Sequence, residues 1–367
     1  MRNKNKIAVI FGGMSVEHEI SVISAKSIIS KIDKRRFEVI PILINKQGKW
    51  ERVRIKGKNL IFNKNSHITP LTDPKKPALL EISGKSIRRT KVDVFFPVLH
   101  GTYGEDGCIQ GIFELMNVPY VGANVHGSAI GMDKISMKSI LREYGIPVLP
   151  FIGFNKKDWE NDKKNLKSRI INEIGESCFV KSANLGSSIG ISKIKNPSEL
   201  NSAVQYALRY SERVIVEKAI DHPREIEVSV LGNDNPVASV PGEIIPKRLF
   251  YDYEAKYVED STELSAPANI SRKSKKELQE LAVTAFKVLD CSGLGRIDFL
   301  LDRKSNKVFV SEINTIPGFT QISMYPKLWE LSGVKYSSLI TKLIELAIEK
   351  HTSKNSLQTD YEKKLTT

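Results

Sequence analysis

IAVIFGGMSVEHEISVISAKSIISKI, residues 7–32, reads as a strand, a glycine turn and a helix. Ile7 to Phe11 run apolar without a break and end at Gly12 and Gly13. Ile20, Ile23, Ile28 and Ile32 then recur at near-helical spacing. Working outward, FEVIPILI (37–44) and VDVFFPVLHG (92–101) supply a second and a third strand. Continuous apolar runs bounded by glycine and charge suit strands buried on both faces, as in a parallel sheet. Residues 1–128 are therefore expected to form a Rossmann-like α/β unit. Ligands of such sheets bind beyond the carboxyl ends of the strands, where Gly12, Gly13, His100 and Gly101 fall.

Downstream the pattern changes. A helix is expected over Ala129–Tyr144, stopped by Gly145 and Pro147. SCFVKSANLGSSIGISKI (177–194) reads as two short strands around a glycine-serine turn, followed by a helix from Pro197 to about Tyr210 and a strand in VIVEKAI (214–220). REIEVSVLG (224–232), PVASVPGEIIP (236–246), GRIDFLLD (295–302) and KVFVSEINTIPG (307–318) read as a mostly antiparallel sheet. FYDYEAKYVEDSTELSAPANI (250–270) has no periodicity and is a lid candidate. Lys273–Leu289 and Leu339–Lys350 read as helices, and 351–367 as a polar tail. The fold class expected is α/β with an α+β C-terminal part, divided as 1–128, 129–216 and 217–350.

Composition narrows the function. With 41% hydrophobic and 27% charged residues, the chain is of the soluble globular kind. No apolar run approaches the roughly 18 residues of a membrane span, and Ile7–Phe11 is shorter than a signal-peptide core of about 7–15 residues. Cys108, Cys178 and Cys291 are scattered and odd in number, so neither a disulfide framework nor a zinc site is indicated, and a reducing cytoplasm fits. The net charge of +14 is concentrated in the first 100 residues, which hold 21 basic and 8 acidic residues. Lys46–Lys91 alone carries 13 basic and 3 acidic residues, interrupted only by the aromatics Trp50 and Phe62. That is too few stacking platforms for a nucleic-acid groove. The stretch reads as a solvated, lysine-rich surface, with neither nucleic acid nor membrane as partner.

Three pieces carry chemistry. In KSANLGSSIG small residues after a strand let backbone amides approach a phosphate, with Lys181 as cation and Ser187 and Ser188 as hydroxyls. In RIDF and VSEIN, alternation puts Arg296 with Asp298 and Glu312 with Asn314. If the two strands pair, one face gathers hard oxygen ligands suited to Mg²⁺, although a merely solvated polar face fits equally well. The IPGF turn after them offers amides to an oxyanion. In VEKAI…REIEV a strand edge could hold adenine, and Glu225 a ribose.

The motifs FGGMSVEHEIS, HGTYGEDGCIQG, GMDK, FVKSANLGSSIGISK, VEKAI…REIEV, FYDYEAKY, GLGRIDF and SEINTIPGFTQISMYP, in this order, resemble those of the D-alanine–D-alanine ligases from Ile7 to about Leu346. The resemblance implies the ATP-grasp fold, ATP as co-substrate, two Mg²⁺ (or Mn²⁺) ions, D-alanine as substrate and a homodimer. It assigns Lys134, Lys181, Ser188, Glu217, Lys218, Ile220 and Glu225 to ATP, and Asp298, Glu312 and Asn314 to metal. Glu19 is expected at the ammonium of the first D-alanine, Arg296 and the Gly318 amide at its carboxylate and the later oxyanion, and Ser323 at the second carboxylate. His100 is placed beside the first substrate. Lys256 and Tyr257 fall in the mobile loop, where Tyr257, Ser187 and Glu19 form a network. Ser182 stands where the family has proline, a change expected to loosen one loop. A ligase taking D-lactate or D-serine as second substrate stays open.

Overall fold

Strand β1 (Asn5–Gly12) is buried from Ile7 to its end because strands lie against both its edges and helices against both its faces. It pairs in parallel with β2 (Phe37–Ile44) and β8 (Val94–Val98). The computed structural model describes residues 4–57, 59–62, 67–186, 189–246, 262–320 and 322–358. On one face of the sheet Ile7, Val9 and Phe11 pack with Ala25, Ile28 and Ile29 of α1 (His18–Lys31). On the other, Ala8 and Ile10 pack with Ile109 and Phe113 of α2 (Cys108–Met116). This is the expected doubly covered parallel core.

The buried face of α1 is only in part the one its isoleucines suggest. Ile23 is 49% exposed, whereas Ser21 and Ser24 are fully buried. Ser21 belongs inside because its hydroxyl accepts from Gly12 N at 2.6 Å and donates to Val98 O, fastening helix to sheet.

The basic segment is more ordered than its composition suggests. It builds five strands, β3 (Trp50–Lys56), β4 (Asn59–Phe62), β5 (His67–Leu71), β6 (Ala78–Ser83) and β7 (Ser86–Thr90). They extend the sheet in the order β7-β6-β5-β3-β2-β1-β8, with β4 on β3. Val53, Ile68 and Leu79 point inward, while β7 is largely exposed. The charged surface is the outer side of this extension.

A four-stranded antiparallel sheet follows, β9 (Phe151–Asn155), β10 (Cys178–Ser182), β11 (Ile191–Ile194) and β12 (Arg213–Lys218), in the order β11-β10-β12-β9. The last sheet comprises β13 (Arg224–Gly232), β14 (Val237–Ala238), β15 (Gly242–Pro246), β16 (Thr262–Ser265), β17 (Gly293–Leu301) and β18 (Val308–Asn314). It runs β16-β15-β13-β17-β18, antiparallel throughout, with β14 on β13.

Four expectations are corrected. The helix expected over Ala129–Tyr144 is two, α3 (Val125–Met132) and α4 (Lys134–Glu143), separated by Asp133 in extended backbone, whose side chain caps α4 by accepting from Ser136 N at 2.8 Å. The lid candidate extends to 270, but Thr262–Ser265 is paired with β15, and Ala268 N donates to Pro241 O at 2.8 Å; residues 247–261 lie outside the described residues. The polar tail begins later than 351, because the last helix runs Tyr336–Asn355 and His351 Nε2 bonds Asn117 O at 2.9 Å. Ser182 tightens its loop: its N–H donates to Gly190 O at 3.1 Å, which proline could not do, and its hydroxyl donates to Ala207 O at 2.8 Å.

Candidate active site

The cleft assembles where β1 and β8 end, where α4 begins, and where the second and third sheets face one another. Each edge contributes charge, and the charges alternate.

At the second sheet, β10 and β12 pair so that Lys181 and Glu217 meet. Lys181 Nζ donates to Glu217 Oε2 at 2.5 Å, while Lys138, on α4, lies 2.9 Å from Glu217 Oε1. Lys138 and Glu217 are almost wholly buried. Burial alone would raise the Glu217 carboxyl, but the two ammonium groups outweigh it and hold it down to about 2. Burial lowers Lys138. It also works against the charge on Lys181, but Glu217 prevails and raises it. Lys138 is a site residue that the motifs did not reveal. Its spacing of four from Lys134 put the two on one helix face, the only available signal. Lys218, exposed, and Ile220, half-buried, continue past Glu217, and Glu225 opens β13 near enough to help hold the charge on Lys181.

A buried ion pair of this kind is costly to break, because the remaining charge is stranded. Lys138→Met is expected to lower unfolding free energy by about 3 kcal/mol and to weaken ATP binding, read by calorimetric melting and nucleotide titration. The depressed Glu217 carboxyl contributes stability that is present above its ordinary value of 4.5 and lost as pH falls towards about 2. In the variant that loss should begin at higher pH.

The break at Asp133 positions Lys134. Asp133 accepts from Asn184 Nδ2 at 2.7 Å and pairs with Arg213, and Lys134 N donates to Ala183 O at 3.0 Å. Lys134 Nζ then donates to Leu185 O at 2.8 Å and lies 3.6 Å from Glu312 Oε2. Ser187 and Ser188 lie outside the described residues, as do Lys256 and Tyr257.

The two expected oxygen-bearing strands do pair, with Asp298 opposite Glu312 and Arg296 opposite Asn314. A bulge makes this possible. Val308 and Val310 point inward, so unbroken alternation would bury Glu312. The register shift beside Asp298 and Phe299 instead turns Glu312 and Asn314 to the cleft side while Ile313 packs inward. Arg296 holds Asp298 through Nε and Nη2, both at 2.7 Å, and Glu227 Oε2 lies 3.1 Å from Nε. Asn314 Nδ2 donates to Asp298 Oδ2 at 3.0 Å, which turns its amide oxygen away from that carboxylate. Among the described residues no group of three or more His, Cys, Asp and Glu could hold a metal by itself. Two carboxylates and an amide oxygen nevertheless fit Mg²⁺, which typically takes one or two protein carboxylates and completes its shell with phosphate and water.

Glu19 is not brought to this cleft. Its side chain is 66% exposed and paired with Lys46 at 2.9 Å, which holds its carboxyl below the usual range. Glu17, two residues earlier and 8% exposed, is brought there instead. A Cβ built on Gly101 would stand 3.0 Å from Glu17 Oε2, and one on Gly186 3.7 Å, so the carboxylate lies between the two glycine turns. The helix period could have found it, since Glu17 is one turn before buried Ser21, whereas Glu19 is one turn before exposed Ile23. The resemblance had placed that role on Glu19, the other acidic residue of the same motif.

Beyond β18, His100 Nδ1 bonds Ile316 O at 2.9 Å, and Glu105 accepts from Gly101 N at 2.9 Å and Ile316 N at 3.0 Å. Burial, then Glu17, pushes Glu105 up to about 8 against these donors. Gly318 sits beside Ser323, as a Cβ on the glycine would lie 3.0 Å from Ser323 Oγ. Ser323 Oγ accepts from Thr320 N at 3.0 Å.

Two family models cover most of the chain: D-ala D-ala ligase N-terminus over residues 6–123 and D-ala D-ala ligase C-terminus over 140–345. The D-alanine–D-alanine ligase of Heliobacterium modesticaldum is 47% identical over 364 residues, covering 97% of this chain and 98% of that protein. The one from Natranaerobius thermophilus is 45% identical, covering 98% and 99%. Among solved structures, the D-alanine–D-alanine ligase from Coxiella burnetii superposes with a TM-score of 0.82 at 39% identity, covering 96% of each chain. The VanG D-Ala:D-Ser ligase from Enterococcus faecalis gives 0.83 at 35%, covering 94% of this chain and all of that one.

Proposed function

The chain belongs to the D-alanine–D-alanine ligase family, and from that premise we propose how its residues divide the reaction. It is an ATP-dependent ligase of the ATP-grasp fold that joins two D-alanine molecules for peptidoglycan synthesis. The observation that carries the assignment of roles is the line of paired charges, Lys138–Glu217–Lys181, Lys134–Glu312 and Arg296–Asp298, which leads from the end of β12 to the turn at Gly318.

Adenine lies at Glu217, Lys218 and Ile220, and ribose at Glu225. Lys134 and Lys181 take the phosphates, a role shared by Ser188. Asp298, Glu312 and Asn314 hold two Mg²⁺ ions, which when bound neutralise phosphate charge. ATP would draw Lys134 and Lys181 off their carboxylate partners, which pre-position them until then. Glu17 holds the ammonium of the first D-alanine in place of Glu19. Arg296, oriented by its two bonds to Asp298, meets the carboxylate that attacks the γ-phosphoryl group. The acyl phosphate so formed is attacked by the amine of the second D-alanine, whose carboxylate Ser323 receives. Arg296 and the Gly318 amide face the oxyanion, a contribution of about 2.7–4 kcal/mol per donor in comparable sites. Lys256 and Tyr257, with Ser187 and Glu17, complete the network and exclude water. Residues 1–128, 129–216 and 217–350 act as three domains of a cytoplasmic homodimer; among the described residues no helix is long and apolar enough to cross a membrane.

The second substrate is D-alanine, because a hydrogen-bonding Tyr257 in FYDYEAKY suits an amine nucleophile. Competition of D-alanine with D-lactate from about pH 6 to 8 should yield mainly the dialanine, a preference that each 1.4 kcal/mol of barrier difference makes roughly tenfold. A predominant lactate ester would overturn this reading.

A further inference from the structure

The turn Ile316–Pro317–Gly318–Phe319 carries the proposed oxyanion donor, and proline removes one of its own backbone donors. Side chains from elsewhere in the fold hold it. Ile316 N donates to Glu105 Oε1 at 3.0 Å, and Phe319 O accepts from Tyr336 OH at 2.6 Å. The remaining bonds form a ring. His100 Nδ1 lies 2.9 Å from Ile316 O, and a carbonyl can only accept, so Nδ1 carries the proton. Nε2 lies 3.4 Å from Ser24 Oγ, which itself accepts from Phe319 N at 3.3 Å. With Phe319 N–H pointing at the hydroxyl oxygen, the serine proton is the one available for a bare Nε2. The chain therefore runs from Phe319 N–H through Ser24 and the imidazole to Ile316 C=O, closing across Pro317 and Gly318.

Both ring nitrogens are thus committed, and His100 and Ser24 are buried. The charged groups around the ring are Glu17, Arg296 and, through the shared Ile316, Glu105. Burial is the largest influence and lowers the imidazole from its ordinary value, which favours the neutral ring with Nε2 accepting from Ser24.

We infer that His100, as the neutral Nδ1–H tautomer, is a positioning residue that sets the Gly318 amide through Ser24 and Ile316, and does not contact substrate. This rests on the reading of Gly318 as an oxyanion donor. Loss of one such donor typically costs about 10²–10³ in rate, so a turn held by fewer bonds should lower kcat and leave KM for ATP nearly unchanged.

Asparagine and glutamine separate the two nitrogens. His100→Asn places an amide donor where Nδ1 is, and His100→Gln places one where Nε2 is. His100→Asn should keep roughly tenfold more of kcat than His100→Gln, with KM for ATP alike in both. Ser24→Ala, which cuts the ring elsewhere, should lower kcat about fivefold with KM for ATP unchanged. Ring ¹⁵N NMR of the full wild-type protein near about pH 7 should show a protonated Nδ1 and a bare Nε2 in the signal that His100→Asn removes. His100→Gln matching or exceeding His100→Asn would overturn the inference, as would the opposite tautomer or a doubly protonated ring. Should both His100 variants fail to fold, the ring signal that Ser24→Ala shifts identifies His100 in the wild type, and its tautomer decides. If the wild type makes no dipeptide at all, the reading of Gly318 fails and this inference with it. An active wild type with the wrong variant order or tautomer overturns the ring alone.

Discussion

Arg296→Met is expected to reduce dipeptide synthesis by at least about a thousandfold and to destabilise the fold by about 3–5 kcal/mol. Two independent losses combine. The guanidinium is bonded to Asp298 and lies 3.1 Å from Glu227, and all three side chains are less than a fifth exposed. Removing it takes away a positive charge that these two adjacent carboxylates share, and breaking a buried pair is costly. It also removes a donor proposed to meet the reacting carboxylate and the later oxyanion. Lysine should recover part of the stability and little of the rate, because a single ammonium cannot reproduce the two parallel bonds at 2.7 Å that fix the plane of the guanidinium. Calorimetry and kcat/KM on the methionine and lysine variants separate the two effects. A methionine variant that melts normally and turns over within tenfold of wild type would contradict both.

Glu17→Gln and Glu19→Gln should differ by about two orders of magnitude in kcat/KM for D-alanine. Glu17 is buried between the Gly101 and Gly186 turns, where the carboxylate faces the space proposed for an ammonium group. Removing its charge leaves that cation desolvated and uncompensated, which costs about 3 kcal/mol in comparable charge pairs. Glu19 is paired with Lys46 in solvent, and exposed pairs contribute roughly 0–1 kcal/mol, so its variant should stay within a few-fold of wild type. Steady-state kinetics at saturating ATP decides it. Equal losses, or a larger loss for Glu19→Gln, would restore the assignment that the resemblance implied.

The Glu17 and Glu19 case shows how far the sequence could be read. The strand–glycine–helix unit was legible because a parallel strand buried on both faces shows as an unbroken apolar run, and Ile7–Phe11 is one. The face of α1 was not, because its buried side carries Ser21 and Ser24, whose hydroxyls have partners that only the tertiary fold supplies. That Arg296 shares a face with Asp298, and Glu312 with Asn314, was legible from alternation, while the pairing of the two strands was only a condition that the fold meets. The bulge that makes it possible left no trace in a stretch reading Val308, Val310 and then Glu312. Asp133 was hidden inside an apparently continuous helix, because an aspartate that ends one helix and caps the next resembles an ordinary polar residue in either. Lys138 and Glu105 were hidden for a different reason. Each is a titratable residue held by a partner distant in sequence, buried Lys138 by Glu217 and half-buried Glu105 by Ile316. The strands β3 to β7 were obscured by charge density, since their inward residues are outnumbered by the solvated ones.

The central claim is that this cleft activates the first D-alanine by phosphorylating its carboxylate and then passes the acyl group to the amine of the second. D-alanine labelled with ¹⁸O in its carboxylate, incubated with the protein, ATP and Mg²⁺, tests it most directly by mass analysis of all products. The predicted result is D-alanyl-D-alanine formed together with ADP and inorganic phosphate in equal amounts, with a single ¹⁸O atom transferred to each phosphate. Dipeptide accompanied by unlabelled phosphate, or by labelled AMP and pyrophosphate, would contradict it.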